Sequence, residues 1–440
     1  MMRRWNPVIV GVTGSIGKSS FLSLLEASIA RSVSVCVPKK GNSETGFPLE
    51  ILGLRTWMRE DTILPWIWML PAALILAGIK THKETHLIAE MGIDSPYAPK
   101  NMEHWLRLIR PTIGVLLEIT PAHTEQFSAL FPKQTPTTEM LCRAIANEKG
   151  KLVTRLPSTG VAILNTDSRY VAELVPNIKA KIVTVGWNTK ANWRVTDWSV
   201  SVNGTVYEIK HKDHLYVVRF AQYALPRTLG VVVAASIATA VELGVKPAIA
   251  VKHIQEAVFP PGRATLIQGK GQSIVLDSSY NSSPIALHAF LDLVPTMKVS
   301  KSAKWHLVLG DMRELGPIAK QEHQAIASQI IKLKPFLRST VFVGPLMKSH
   351  VAPAVRKAKI PVYTTALANE VQKILRPVIK PGDIVLMKGS QNTIYLEVAV
   401  KDLMKNPTQA TELLCRQSAD WERVRSRFFK KSSAKSNASL

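Results

Sequence analysis

The sequence predicts an α/β fold with two successive sheets. First, apolar runs such as residues 112–120 alternate with segments of helical periodicity, which is typical of parallel strands joined by helices. Second, residues 193–220 alternate polar and apolar side chains around Asn203-Gly204, which indicates a small antiparallel patch beside the parallel strands. Third, a chain of 440 residues is too long for one compact core, so at least two domains are expected.

A cluster of Pro260, Pro261 and Gly262 marks the predicted boundary between these domains. The first domain is predicted to span 1–258 and the second 259–422. After the boundary, strand-like runs again end in polar or glycine turns, so the second domain is predicted to be a Rossmann-like α/β domain. The remaining segment, 423–440, is basic and rich in serine, and it is predicted to be disordered.

The chain is strongly basic, with 56 Lys and Arg against 32 Asp and Glu and a formal net charge of +24. Such a charge attracts anionic partners in general. The lysines are spread along the sequence and no nucleic-acid-binding motif is present, so nucleic acid is not an expected partner. Cys36, Cys142 and Cys415 lack metal or disulfide spacing, which favours a reducing, cytoplasmic location.

Residues 62–80 form a mostly apolar run, uncharged up to Lys80, that is close to the lower limit for a membrane span. Pro65 and Pro71 interrupt the run, and it lies inside the first α/β domain. We therefore expect a buried or interfacial helix rather than a span. Trp66 and Trp68 would suit a headgroup interface, so peripheral membrane contact through 62–80 stays open as an alternative.

A glycine-rich stretch between the first strand and the first long helix predicts a phosphate-binding loop. Glycines let backbone N–H groups approach an anion, and the following helix directs its positive end toward the same point. Lys18 would reach the β- and γ-phosphates of a bound nucleotide, and Ser19 would hold Mg²⁺. The strict pattern expects a glycine where Val12 stands, so the match is to a variant, and a plain glycine-rich turn is the alternative. The predicted loop residues are Thr13, Gly14, Gly17, Lys18, Ser19 and Ser20.

Two further side chains follow strands of the same predicted sheet. Glu90 ends the run 86–90, and His123 follows the run 112–120. Because the carboxyl ends of parallel strands meet at one edge, both should lie near the phosphate loop. A carboxylate and an imidazole beside a phosphate loop predict metal–phosphate chemistry with Mg²⁺. In the second domain, six residues fall at corresponding strand ends: Asp277, Tyr280, Asn281, Asp311, Lys388 and Ser390.

The motifs occur in an order that resembles the Mur ligase family across roughly residues 7 to 405. The motifs that carry the resemblance are GVTGSIGKSS, AEMG, PAH, ILNTD, PGR, LDSSYNSSP, LGDMRELG and LMKGS. The resemblance implies an ATP-dependent amide ligase of cell-wall precursor synthesis, in which ATP phosphorylates a carboxylate and an amine attacks the acyl phosphate. Among its members, the sequence is most similar to those that add D-alanyl-D-alanine to a muramoyl-tripeptide. Its substrates would be a small amino acid or dipeptide and a muramoyl-peptide-like acceptor.

The resemblance also implies roles for individual residues. Glu90 and His123 would bind magnesium, and Lys149 would be carbamylated so that its carboxylate helps to hold the second ion. Arg263, Asp277, Tyr280 and Asn281 would bind ATP. Asp311, Lys388 and Ser390 would lie near the substrate.

The sequence also departs from the family pattern. The family's sugar-nucleotide-binding domain would precede the phosphate loop, but the first strand begins at residue 8. Leu229 and Val233 stand where histidine and asparagine are expected, Glu118 replaces an asparagine and Thr120 replaces a glycine. Two alternatives therefore stay open. One is a nucleotide-binding paralogue without ligase activity, and the other is a ligase that acts on a lipid-linked or polymeric acceptor.

Overall fold

The computed structural model describes residues 2–38, 46–54, 64–121, 124–313, 315–391 and 393–437. The chain divides into two compact units. The first comprises Met1–Asp197, Tyr207–Val218 and Leu229–Val258, and the second comprises Trp198–Val206, Arg219–Thr228 and Phe259–Leu440. Each unit has its own hydrophobic core.

A nine-stranded sheet contains the strands that precede residue 221. Their order across the sheet is β2-β3-β1-β4-β5-β6-β7-β8-β9, and β2 to β7 pair in parallel. The strands are β1 Val8–Thr13, β2 Val35–Cys36, β3 His86–Glu90, β4 Ile113–Leu116, β5 Val161–Asn165, β6 Lys181–Gly186, β7 Trp193–Ser201, β8 Gly204–His211 and β9 His214–Phe220. The helices of this part of the chain are α1 Met2–Trp5, α2 Lys18–Ile29, α3 Gly46–Ile51, α4 Leu64–Ile79, α5 Met102–Leu108, α6 Thr124–Ser128, α7 Thr138–Thr154, α8 Arg169–Ala172, α9 Leu229–Glu242 and α10 Pro247–Ile254.

The order of the strands places β1 between β3 and β4. The chain leaves β1 toward β2 and β3 on one side and returns to β4 on the other, so the carboxyl end of β1 is a topological switch point. Ligands bind at such points in open α/β sheets. Residues from β1, β3 and β4 are almost wholly buried, as expected for strands covered on both faces. Helix α2, which follows β1, packs against α9 and α10.

The second unit contains a six-stranded sheet with the order β10-β11-β15-β12-β13-β14, in which only the β10–β11 pair is antiparallel. The strands are β10 Thr265–Gln268, β11 Ile274–Ser278, β12 Trp305–Gly310, β13 Leu337–Val343, β14 Val362–Thr365 and β15 Ile384–Lys388. The helices are α11 Pro284–Leu291, α12 Leu293–Thr296, α13 Ala319–Lys332, α14 Ala352–Lys357, α15 Val371–Leu375, α16 Leu396–Leu403, α17 Ala410–Leu413 and α18 Ala419–Asn437. The predicted fold class, with two mainly parallel sheets and an antiparallel patch, is confirmed.

In the described part of the basic tail, α18 continues to Asn437, and the disorder that the composition predicts for 423–440 stays a prediction. The rings of Phe428 and Phe429 lie 5.3 and 6.2 Å from the ring of Tyr395, and the Arg425 guanidinium donates to the Glu397 carboxylate over 3.3 Å. Aromatic packing and a buried ion pair therefore hold the first part of this helix against the rest of the second unit.

The apolar run 62–80 forms helix α4 in its described part, Leu64–Ile79, with Pro71 inside it. Among the described residues, none of the helices combines the length and hydropathy needed to span a bilayer. Helix α4 is not buried, since its described side chains are all half-buried or exposed. The expectation of a buried helix is therefore wrong, and its other form, an interfacial helix, remains.

Candidate active site

The predicted phosphate loop lies between β1 and α2 in the first unit. Gly17 begins the helix with φ of 86°, a left-handed conformation that glycine adopts without strain. The loop is fixed to the segment after β4. The Ser15 N–H donates to the Glu118 carbonyl over 2.8 Å, and the Ser15 hydroxyl donates to the Thr120 carbonyl over 3.1 Å. The main chain of the predicted loop is thus held by contacts from a strand that is distant in sequence.

The lysine and serine of this loop lie beside the predicted acidic ligand. The Lys18 ammonium donates to the Gly14 carbonyl over 2.9 Å, so it folds back across its own loop. The Ser19 hydroxyl donates to the Glu90 carboxylate over 3.0 Å. Glu90 reaches this position because β3 pairs with β1 in the register that sets Glu90 beside Val12. Two predicted metal ligands therefore meet at the edge where the sheet topology places them.

Two other residues of the predicted loop, Thr13 and Ser20, are buried beneath it. Thr13 is fully buried, and its hydroxyl donates to the Met91 carbonyl over 2.9 Å, which ties the end of β1 to the end of β3. Ser20 is also buried, in the first turn of α2. Thr13 and Ser20 thus face the protein interior.

Lys149 is a buried lysine in the middle of helix α7. Its side chain is 2% exposed, and its amine donates to the Ile93 carbonyl over 2.9 Å. A cation in this position is poorly solvated, because it is buried and its hydrogen bond goes to a neutral carbonyl. The carboxylate of the neighbouring Glu148 accepts its hydrogen bonds elsewhere, from the Met102 N–H over 2.9 Å and from the Lys151 amine over 2.5 Å.

The pKa of the Lys149 amine is lowered from its usual value to about 7. Burial is the main cause, and the positive charge of Lys18 adds to it. The carboxylates of Asp94, Glu148 and Glu90 act in the opposite direction. An amine with this pKa is substantially neutral at physiological pH, which is the state that reacts with CO₂ to form a carbamate.

His123 lies outside the described residues, so its prediction as a metal ligand stays a prediction. The described side chains nevertheless suit Mg²⁺, which prefers oxygen ligands. A hydroxyl and a carboxylate already face each other beside the phosphate loop, at Ser19 and Glu90. Across the described residues, no group of three or more His, Cys, Asp and Glu side chains is arranged to hold a metal ion by itself. A magnesium site here would therefore combine protein oxygens with phosphate and water oxygens.

Glu118, a departure from the family pattern, has a structural partner that the sequence did not indicate. Its carboxylate accepts from the Asn165 side chain over 2.9 Å and from the Ile119 N–H over 3.2 Å. Burial raises the pKa of this carboxyl, and the hydrogen bonds from Asn165 and the Ile119 N–H oppose the rise. Glu118 thus joins the end of β4 to the end of β5, next to the segment that holds the phosphate loop.

The second unit brings another set of predicted residues together. The Arg263 guanidinium lies 4.6 Å from the centre of the Tyr280 ring, a cation–π contact. Asp277 is fully buried, and one of its oxygens accepts from the Ser279 N–H over 2.9 Å while the other has no hydrogen-bond partner. Burial raises the pKa of this carboxyl to about 6. The Asn281 side chain accepts from the Ser282 N–H over 2.8 Å and thereby shapes the same loop.

Lys388 and Ser390 hold this loop from the neighbouring strand β15. The buried Lys388 amine donates to the Ser278 hydroxyl over 3.2 Å and to the Asn281 carbonyl over 3.0 Å. Burial lowers its pKa to about 7, and the charge of Arg263 contributes. The Ser390 hydroxyl donates to the Ser282 carbonyl over 3.1 Å. Both residues therefore contact the predicted ATP-binding loop, and their contact with substrate stays a prediction.

Asp311 has a different set of neighbours. Its two carboxylate oxygens accept from the N–H groups of Leu346 and Met347, over 3.2 and 2.7 Å, at the start of the helical segment after β13. Burial raises its pKa, and these hydrogen bonds oppose the rise. The structure thus gives Asp311 a helix-capping position, and the prediction that it binds substrate is not tested by these contacts.

An ion-pair cluster behind the 277–284 loop was missed at the level of sequence. The fully buried Glu397 accepts from Arg416 over 2.8 and 2.9 Å and from Arg425 over 3.3 Å. Arg416 also donates to the carbonyls of Ser279 and Tyr280, each over 3.1 Å. The three charged residues lie on separate segments, so no local pattern could have paired them.

A methyl group at Gly17 should weaken nucleotide binding. A Cβ there would lie 2.8 Å from Val232 on helix α9, and the φ of 86° would strain any other residue. We expect Gly17→Ala to lower the affinity for ADP about tenfold and to destabilise the fold by about 1–2 kcal/mol. Calorimetric titration with ADP and thermal unfolding would measure both effects.

Gly244→Ala is the matched control for Gly17→Ala. Gly244 has a similar φ of 90°, but a Cβ there would meet nothing within 4 Å. This variant should lose some stability and keep its affinity for ADP. An unchanged affinity for ADP in Gly17→Ala would contradict the assignment of this loop to phosphates.

Comparison with known proteins agrees with this geometry. The family model described as Mur ligase middle domain matches residues 12–222, and the one described as Mur ligase, glutamate ligase domain matches residues 262–391. Each unit thus contains the greater part of one matched domain.

The chain is similar over most of its length to curated Mur ligases. It is 24% identical to the UDP-N-acetylmuramoyl-tripeptide–D-alanyl-D-alanine ligase of Bacillus subtilis, covering 91% of this chain and 76% of the relative. It is also 24% identical to the enzyme of the same name from Mycobacterium tuberculosis, covering 87% of this chain and 70% of the relative.

Solved structures show the same fold at lower sequence identity. MurF ligase from Thermotoga maritima in complex with ADP superposes with a TM-score of 0.69 at 21% identity, covering 91% of this chain and 80% of that chain. Folylpolyglutamate synthase from Mycobacterium tuberculosis, complexed with ADP and AMPPCP, gives a TM-score of 0.58 at 14% identity, with 88% and 89% covered. With both domain models matched in order along one α/β chain, this protein belongs to the Mur ligase family.

Proposed function

We propose that this chain is an ATP-dependent ligase that joins D-alanyl-D-alanine to the carboxylate of a muramoyl-tripeptide in peptidoglycan precursor synthesis. The observation that carries the proposal is the meeting of Lys18, Ser19 and Glu90 at the carboxyl edge of the first sheet. The curated relatives named above, which cover most of the chain, supply the identity of the two substrates.

The first chemical step would transfer the γ-phosphoryl group of ATP to the acceptor carboxylate. Two anions must approach, so positive groups have to neutralise charge as the phosphoryl group moves. We assign this task to Lys18 and the N–H groups at the start of α2, and the position of Lys18 across the loop supports the assignment. Magnesium, held by Ser19, Glu90, His123 and a carbamylated Lys149, would supply further positive charge at the phosphates.

The second step would form the amide. The amine of the dipeptide attacks the acyl phosphate, and the tetrahedral intermediate expels inorganic phosphate. Residues of the second unit would bind the nucleotide and the incoming amine. Arg263, Asp277, Tyr280 and Asn281 are assigned to ATP, whereas Asp311, Lys388 and Ser390 are assigned to the substrate. The Arg263 guanidinium lies over the Tyr280 ring, and this contact supports the assignment of both residues to ATP.

The test is phosphate release by the purified protein with ATP, Mg²⁺ and bicarbonate. The acceptors are UDP-muramoyl-tripeptide and a lipid-linked equivalent, each with and without D-alanyl-D-alanine. We expect release only when acceptor and dipeptide are both present. Lys18→Ala should reduce the rate by about 100-fold or more. Lys252→Ala, an exposed lysine in α10, is the matched control and should keep the wild-type rate.

The acceptor arms decide between the alternatives. If phosphate is released with the lipid-linked acceptor and not with UDP-muramoyl-tripeptide, the lipid-linked acceptor replaces the soluble one in the proposal. ADP binding without phosphate release in any pairing would contradict ligase activity and favour a nucleotide-binding paralogue. The buried Val233 on α9, in place of an asparagine, is the observation that makes this second outcome worth testing.

A further inference from the structure

Helix α4 presents a continuous apolar face to the solvent. Six large side chains on it are each more than half exposed: Ile67, Trp68, Leu70, Leu74, Ile75 and Ile79, at 62, 79, 55, 77, 61 and 68%. Their spacing of three and four residues places them on one side of the helix. The residues on the opposite side, such as Met69 and Leu76, are half-buried. The exposed residues thus form the outer face of α4.

This outer face differs from the surface of an ordinary soluble helix. Such helices carry charged or polar residues toward water, but residues 66–79 include no charged side chain. Contiguous apolar patches of this kind mark interaction sites. Removing Leu- and Ile-sized side chains from water is favourable in proportion to their apolar area, so burial of the six together could drive association.

The carboxyl-terminal end of α4 is held by hydrogen bonds from Arg4, and the chain just beyond it by one from Lys80. The Arg4 guanidinium donates to the carbonyls of Ala77, over 2.6 Å, and Gly78. The Lys80 amine donates to the Ile51 carbonyl over 2.8 Å. Arg4 and the nearby Lys83 are both exposed. Two exposed cations, Arg4 and Lys83, therefore accompany this end of the apolar face, with Glu84 next to Lys83 in the chain.

The length of the face determines how deeply it could enter a bilayer. At 1.5 Å per residue, the stretch from Ile67 to Ile79 measures about 18 Å, whereas the hydrocarbon core of a bilayer is about 30 Å thick. A helix of this length would lie at the boundary between headgroups and acyl chains. Trp68 is typical of that depth.

We propose that the outer face of α4 docks the protein onto the surface of an anionic phospholipid bilayer. The apolar side chains enter the acyl boundary, while the exposed Arg4 and Lys83 face the phosphate groups. Charge decides between this occupant and a second copy of the chain. Two copies, each with a formal net charge of +24, repel one another, whereas an anionic surface attracts nearby Lys and Arg side chains.

Vesicle flotation of the full-length protein tests the proposal without substrates. The vesicles contain phosphatidylethanolamine and phosphatidylglycerol, and the comparison vesicles contain phosphatidylcholine alone. We expect the protein to float with the anionic vesicles and to dissociate at high salt. The double variant Leu74→Glu with Ile75→Glu should bind at least about tenfold more weakly, because it would place two charges in the acyl boundary.

Two controls keep the result interpretable. Leu215→Glu changes a large apolar residue that is 54% exposed on β9, and it should bind vesicles as the wild type does. ADP binding and thermal unfolding should be unchanged in all variants, since the altered residues are exposed. This readout is also independent of ligase activity, so a failure of the proposed function would not affect it.

Several outcomes would overturn the proposal. One is recovery of the wild-type protein entirely in the soluble fraction. Equal binding to phosphatidylcholine would contradict an anionic surface, and unchanged binding of the double variant would exclude α4. Alternatively, the wild-type protein self-associates in sedimentation velocity and fails to bind vesicles. If only the double variant abolishes that self-association, the outer face of α4 is assigned to a second copy of the chain.

Discussion

Replacing Lys149 by methionine should abolish ligation while leaving the protein folded. Methionine fills a similar volume and removes a buried cation, at the cost of the hydrogen bond to the Ile93 carbonyl. If the Lys149 carbamate completes the magnesium site, the variant should lose ligase activity by about 1,000-fold, as when a group acting in the transition state is removed. Phosphate release in the two-substrate assay would measure the loss.

The pH dependence provides a second readout of the same residue. Carbamate formation needs the neutral amine, so the carbamylated fraction should fall as the pH drops below about 7, the pKa of Lys149. Activity should fall with it and should also decline when CO₂ and bicarbonate are removed. Because the folded-state pKa lies below the unfolded value, the destabilisation from the buried amine is fully present below pH 7. It is relieved as the pH rises toward the unfolded pKa. Lys149→Met should therefore gain most stability at or below pH 7.

Lys151→Met is the control, because Lys151 lies on the same helix, is half-buried and pairs with Glu148. It should keep both activity and bicarbonate dependence. Wild-type activity that does not change in CO₂-depleted buffer would contradict the carbamate, and full activity of Lys149→Met would remove Lys149 from the site altogether.

Glu397→Gln should destabilise the second unit by about 3–5 kcal/mol. The Glu397 carboxylate is fully buried and neutralises two arginines, Arg416 and Arg425, so the variant leaves buried positive charge uncompensated. Arg416 also donates to the carbonyls of Ser279 and Tyr280, and its displacement should loosen the loop assigned to ATP. Chemical denaturation would give the change in the free energy of unfolding.

Asp420→Asn is the matched control for Glu397→Gln. It breaks the exposed Asp420–Arg423 pair on helix α18, and it should change the free energy of unfolding by no more than about 0.5 kcal/mol. If Glu397→Gln were as mild as this control, the cluster would not be needed for the stability of the second unit.

The meeting of Ser19 and Glu90 at the edge of the first sheet could be predicted, because each residue follows or ends a strand that its local sequence reveals. Ser19 follows a buried strand and a glycine loop, and Glu90 ends another buried strand. Parallel strands then bring both to one edge without further information. The burial and low pKa of Lys149 could not be predicted in this way. Its low pKa depends on burial and on the charge of Lys18, a residue more than a hundred positions away, and only the family resemblance singled it out.

Other features escaped prediction because they depend on partners that are distant in the chain. Glu118 is held by Asn165, and Glu397 pairs with two arginines on later segments. The composition of the tail likewise did not indicate that Phe428 and Phe429 pack on Tyr395. Helix α4 was expected from its apolar residues, but which of its faces meets solvent depends on tertiary structure.

The hydrogen bond between Ser19 and Glu90 has a consequence for how a cation would be recognised. The two residues are separated by 71 positions, and yet their oxygens already lie 3.0 Å apart. Bringing them together is therefore part of folding, so ion capture there requires little loss of side-chain freedom. Preorganisation of this kind makes affinity depend on the ion's size and charge rather than on movement of the protein.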